Sequence, residues 1–128
     1  MIDVELLNGS NLSYLGDSYF ELVIRKHLLN KGITNPNKIH KEATKYVSSH
    51  AHSLIVDVLI NDFTPKELEI YKRGRNQKNQ SRRKNVDLAE HSKSSGLEAV
   101  IGYLYLKEEK ERLDFLITKS INIIEGNI

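Results

Sequence analysis

The sequence predicts an all-α fold, and three observations carry the prediction. Apolar residues recur at the three- and four-residue intervals of a helix face along most of the chain. Both prolines, Pro36 and Pro65, sit where helices start. Strand signals are weak, because alternation is poor and no Asn-Gly or Asp-Gly turn stands between two β-type runs. At 128 residues the chain is the size of one domain, residues 1–128, and is long enough to bury a core without covalent staples.

The elements follow in order. The spacing predicts a first helix over 10–30, ended by Gly32. Asn35-Pro36 then signals a start, with helix over 37–61 open to a break at Ser48 and Ser49. Thr64, Pro65 and Glu67 supply an N-cap, a first-turn proline and the acid that closes a capping box, so a short helix covers 65–72. Residues 74–85 are polar, basic and aperiodic, and read as a loop. Helix resumes over 86–92, again over 95–106, and finally over 109–124.

Composition excludes several classes. Cysteine is absent, which removes disulfides and thiolate metal sites and favours an intracellular home. No segment reaches the roughly 20 apolar residues that cross a bilayer, and MIDVELLNGS lacks the basic start and apolar run of a secretory signal. Net charge is only +2, but its distribution is uneven. Residues 72–84, KRGRNQKNQSRRK, hold seven Lys or Arg and no acid. Alone, such a run reads as a solvated loop or as a phosphate-gripping surface.

Two acids stand out. Around the first helix, at about 100° per residue, Asp17 falls inside the apolar arc, beside Phe20 and Ile24 and away from the polar edge of Tyr14, Ser18, Glu21 and Arg25. A carboxylate there is expected to lose hydration. The neighbouring Gly16 costs the helix about 1 kcal/mol relative to alanine. Glu98 is likewise the one charge in GLEAVIGYLYL, a segment apolar nearly all round. On the residues alone two readings stand. Structural ion pairing with an arginine is favoured; a shared cation site is the other. If the two acids meet, their repulsion suits a hard divalent ion such as Mg²⁺, which keeps several waters and takes one or two carboxylates.

Taken together, YLGD with Glu21 following, IHKEATKYVSSHAHS, YKRGRN and SSGLEAVIGYLYL resemble the ribonuclease III catalytic domain, and most closely its compact bacterial and plastid branch, Mini-ribonuclease III. The blocks come in order along almost the whole chain. YLGD alone is weak; four ordered blocks are specific. The resemblance implies an all-helical, homodimeric endoribonuclease that hydrolyses double-stranded RNA with Mg²⁺, Mn²⁺ being able to substitute, and leaves 5′-phosphate and 3′-hydroxyl ends. It implies trimming of large-subunit (23S) ribosomal RNA precursor, in a bacterial cytoplasm before a plastid stroma, with a large-subunit ribosomal protein as a further partner. A non-catalytic RNA-binding or ribosome-assembly module on the same fold is the alternative.

By the same resemblance Asp17 and Glu98 are the catalytic and metal-binding acids. Further acids of the longer enzymes fall here at Ser10, Ser13 and Ser95, which implies more water around the metal, with Ser13 and Ser95 bonding those waters. The compact branch shares these departures. The RNA-binding residues are expected to be Lys72, Arg73, Arg75, Asn76, Lys78, Arg82, Arg83 and Lys84, since proteins hold duplex RNA by phosphates, 2′-hydroxyls and shape. Arg73 has a competing role, capping its own helix or pairing with an acid. The five histidines match no zinc pattern and read as surface or packing residues, with His40 and His52 as secondary candidates for RNA contact. Tyr103 and Tyr105 are expected to fill the core or a dimer seam.

Overall fold

The structure, a computed structural model, describes residues 2–77 and 87–127. Among the described residues all regular structure is helical. Six α-helices follow one another: α1 Gly9–Asn30, α2 Pro36–Val47, α3 Ser49–Leu59, α4 Pro65–Arg75, α5 Leu88–Leu106 and α6 Lys110–Glu125. None of the described helices is long and apolar enough to cross a membrane.

Local chemistry explains most boundaries. Asn8 opens α1 by accepting from the Asn11 N–H at 2.8 Å, and Asn11 returns a side-chain oxygen to the Asn8 N–H. Gly32 adopts φ 84°, the left-handed turn that follows a helix end. Ser48 breaks the second region as its two serines allowed. It is extended, closes α2 and caps α3 through Oγ on the Ala51 N–H. At α4 the Thr64–Glu67 capping box forms in both directions, at 3.0 and 3.1 Å.

Two boundaries differ from expectation. Helix α4 continues to Arg75, so Lys72, Arg73 and Arg75 stand on a helix. Helix α5 is one unbroken element where two pieces were expected. Its polar first turns, capped by Asp87, lack an apolar stripe, yet burial of Ser94 and Ser95 against neighbouring helices keeps the helix continuous. Tertiary packing here overrides a weak local signal.

Helix α5 is the axis of the domain. It packs on α1, α3, α4 and α6, and residues 94–97 and 99–104 are all buried. That position is why GLEAVIGYLYL is apolar all round. Polar clasps secure the outer helices. Arg112, at the start of α6, forks Glu67 of α4 with two bonds of 2.8 Å, and Glu67 is only 3% exposed. Glu125, at the end of α6, receives His27 of α1, Lys31 just after it and the Tyr46 hydroxyl of α2, all within 2.8 Å.

Candidate active site

The site begins where α1 crosses α5. Gly16 and Gly102 leave no side chain at the crossing: a Cβ on Gly16 would lie 1.7 Å from the Glu98 carbonyl oxygen, and one on Gly102 would lie 2.1 Å from that of Leu12. Only glycine lets the two backbones approach so closely. Asp17 adjoins Gly16, and Glu98 lies one turn before Gly102, so the crossing brings both acids to the same place. Their carboxylates come within hydrogen-bonding range of each other.

Asp17 does not lie in the core. It is exposed, because the covered face of α1 is a stripe through Leu12, Ser13, Gly16, Phe20, Ile24 and Leu28, narrower than the apolar arc of the sequence. Leu22, on the same arc, is exposed with it. Glu98 carries the burial instead, with 15% of its side chain accessible. Burial first, then the Asp17 carboxylate and the Glu21 charge, push its carboxyl up to about 9. Among the described residues, the charged groups acting on Glu98 are thus both acids. The expected alternative, an arginine paired with the buried acid, is instead found elsewhere, at Glu67 and Arg112.

This donor set fits a hard divalent cation. Two carboxylates converge, with a third acid, Glu21, close enough to be felt electrostatically. Among the described residues no group of three or more His, Cys, Asp or Glu side chains could close around a metal. An ion here would be held by Asp17 and Glu98, with water completing its shell, which is the habit of Mg²⁺ and not of zinc.

The serines meet beside these acids. Ser13 Oγ donates to the Ser95 carbonyl at 2.6 Å and accepts from Gln77 Nε2 at 2.9 Å. Ser10 Oγ donates to Gln77 Oε1 at 2.8 Å. One amide therefore forks two hydroxyls a turn apart on α1 and ties the second residue after α4 to the helix that carries Asp17. Gln77 was not anticipated; its place immediately after RGRN was the only signal.

His52 also stands here. It is fully buried on α3, which removes it from the candidates for RNA contact. Burial holds its imidazole down at about 4, so the ring is neutral. His40 is exposed, and His50 is exposed and bonded to Glu90. Tyr103 is buried with its hydroxyl on Glu5, whereas Tyr105 is half exposed against the Tyr19 ring.

The expected RNA-binding residues are dispersed. Lys72 is exposed on α4. Arg73 donates to the Leu7 carbonyl at 3.0 Å and to Glu69, securing the N-terminal segment. The Arg75 guanidinium lies 5.7 Å from the Tyr71 ring centre and bonds Asn76. Lys78, Arg82, Arg83 and Lys84 lie outside the described residues.

Known proteins resemble this chain in sequence and in fold. The family model described as Ribonuclease III domain matches residues 10–109. Mini-ribonuclease 3 of Streptococcus pneumoniae is 46% identical over 128 residues, covering 98% of this chain and 100% of that protein. Mini-ribonuclease 3 of Staphylococcus aureus is 40% identical over 123 residues, covering 94% and 92%. A crystal structure of a Fusobacterium nucleatum protein superposes with a TM-score of 0.83 at 31% identity, over the whole of both chains.

Proposed function

The chain belongs to the ribonuclease III family and is an endoribonuclease, and from that premise we propose that it cleaves double-stranded RNA with Mg²⁺ held by Asp17 and Glu98. The observation that supports this reading is the meeting of those two carboxylates at the α1–α5 crossing, with no basic group of the described residues among the charges that act on Glu98. Such a pair is unfavourable until a cation joins it. When bound, Mg²⁺ supplies the Lewis acidity that activates water and the scissile phosphate.

The chain's own residues do the rest. Exposed Asp17 faces the solvent side from which RNA arrives, and buried Glu98 anchors the inner side of the pair. Ser13 keeps one free lone pair for a water after bonding Ser95 and Gln77. The basic stretch, from Lys72 through Lys84, grips phosphates of the duplex. The expected substrate is the duplex at the ends of 23S ribosomal RNA precursor, cut by a homodimer whose two sites address the two strands. The setting is a bacterial cytoplasm; the organisms of its relatives are bacteria.

The test is incubation of the chain with long duplex RNA in Mg²⁺ and in EDTA, with Asp17→Asn beside the parent. Cleavage in Mg²⁺ alone, lowered by at least about 100-fold in Asp17→Asn while RNA binding persists, is the expected result. Cleavage in EDTA overturns the metal assignment, and binding without cleavage under any divalent ion overturns the hydrolytic one. Replacing Arg82 and Arg83 by Gln should flatten the salt dependence of binding, since a protein that neutralises fewer phosphates displaces fewer counterions.

A further inference from the structure

We propose that His52 is a positioning residue for Glu98: from α3 its Nδ1 edge holds the Glu98 carboxylate in the orientation that meets Asp17. The inference rests on the two-carboxylate reading given above and adds to it a residue from a third helix.

The geometry is specific. His52 is wholly inaccessible, and its ring meets Phe20 edge-on at 4.9 Å and 88°, which fixes the imidazole plane. Nδ1 lies 2.7 Å from Ser94 Oγ and 3.9 Å from Glu98 Oε2. Ser94 and Glu98 are four residues apart on α5, so one ring edge addresses two successive turns of the same helix face. The opposite nitrogen, Nε2, is buried with no partner among the described residues.

That orphan nitrogen separates this ring from a packing histidine. A buried polar atom without a bond costs stability, and an apolar side chain would fill the same space without that cost. An unfavourable choice at the floor of a site has its return in the site. A neutral imidazole carries one proton. With a hydroxyl oxygen and a carboxylate both facing Nδ1, the proton belongs there, and Ser94 Oγ accepts it. The positive edge of the ring then points at Glu98, where the other charges in play among the described residues are acids. Phe20 prevents the ring from turning away. Glu98 thereby keeps one orientation before any cation arrives, which is how outer partners of carboxylate and histidine ligands typically raise metal affinity by about 10–100-fold.

The experiment measures Mn²⁺ binding to the full chain without RNA, from the loss of the free-ion electron paramagnetic resonance signal. Parent, Asp17→Asn, His52→Leu and His52→Asn are compared. His52→Leu should melt no lower than the parent yet bind Mn²⁺ at least tenfold more weakly. His52→Asn, whose amide can place a donor near the Nδ1 position, should recover most of that affinity. Parent-like binding by folded His52→Leu, or equal weakening in both His52 variants, overturns the role of His52. If Asp17→Asn meanwhile loses binding, the two-carboxylate reading stands without it. A parent that binds no Mn²⁺ overturns both. Should His52→Leu not fold, ring ¹⁵N shifts of the parent decide: the Nδ1–H tautomer is expected, and the Nε2–H tautomer overturns the proposal.

Discussion

Gly16 and Glu98 touch through their backbones: the position a Gly16 side chain would occupy is 1.7 Å from the Glu98 carbonyl oxygen. No rotamer change can relieve such a contact, because the obstacle is main chain. Gly16→Ala tests it with an unambiguous sign. Helix propensity alone favours alanine by about 1 kcal/mol. The crossing instead predicts a loss of about 3 kcal/mol or more, the upper end for overpacking. Urea unfolding reads the difference, and a variant as stable as the parent would mean that α1 and α5 do not approach this closely.

Glu98→Gln should separate stability from activity. It removes a buried acid that must take up a proton to sit beside Asp17 without metal, and puts an amide donor within reach of the Asp17 carboxylate. In EDTA the variant should therefore melt a few degrees above the parent, and in Mg²⁺ its cleavage rate should fall by at least about 100-fold. A lower melting temperature in EDTA would show that Glu98 stabilises the metal-free fold.

The Arg112–Glu67 clasp predicts a different pattern. Glu67 is 3% exposed, so Arg112→Met leaves a buried carboxylate with its cation gone. Breaking one side of such a pair typically costs about 3–5 kcal/mol. Adding Glu67→Gln removes the stranded charge while keeping a side chain able to cap Thr64, and should restore most of the loss. Thermal melts of the parent, the single and the double variant check this. Additive losses would contradict it.

The Glu125 cluster makes stability depend on acid. Hydrogen bonds from Lys31 and then His27 hold the Glu125 carboxyl down at about 2, against an ordinary value of 4.5. A depressed acid stabilises the fold fully above its unfolded pKa and loses that contribution as pH falls toward the folded one. The parent should thus lose stability between about pH 4.5 and pH 2. Glu125→Gln should be less stable at neutral pH and flatter across that window. Denaturant midpoints measured along the window decide, and parallel curves would rule the cluster out as the titrating group.

Much of this was legible in the sequence because it is local. The Thr64–Glu67 box, the Ser48 break and the Gly32 stop each depend on a few adjacent residues, and each formed. The unbroken α5 was not legible, because its continuity comes from burial of Ser94 and Ser95 by other helices. Nor was the extension of α4 to Arg75, whose polar last turn carries no periodic signal. Gln77 and His52 escaped for the same reason. Their roles depend on partners 64 or more residues away for Gln77 and 42 for His52.

The sequence by itself determined the helical class, the lone acids in two helices and the glycines beside them. These follow from spacing and from the cost of unfavourable residues, which act over one or two turns. Only the tertiary structure decided which acid is buried. Asp17 is open and Glu98 enclosed, the reverse emphasis from the helical wheel, because a wheel gives direction around an axis but not how much of that circumference a neighbouring helix covers. It alone also decided that the two acids meet, since α1 and α5 come together where Gly16 and Gly102 allow their backbones to cross.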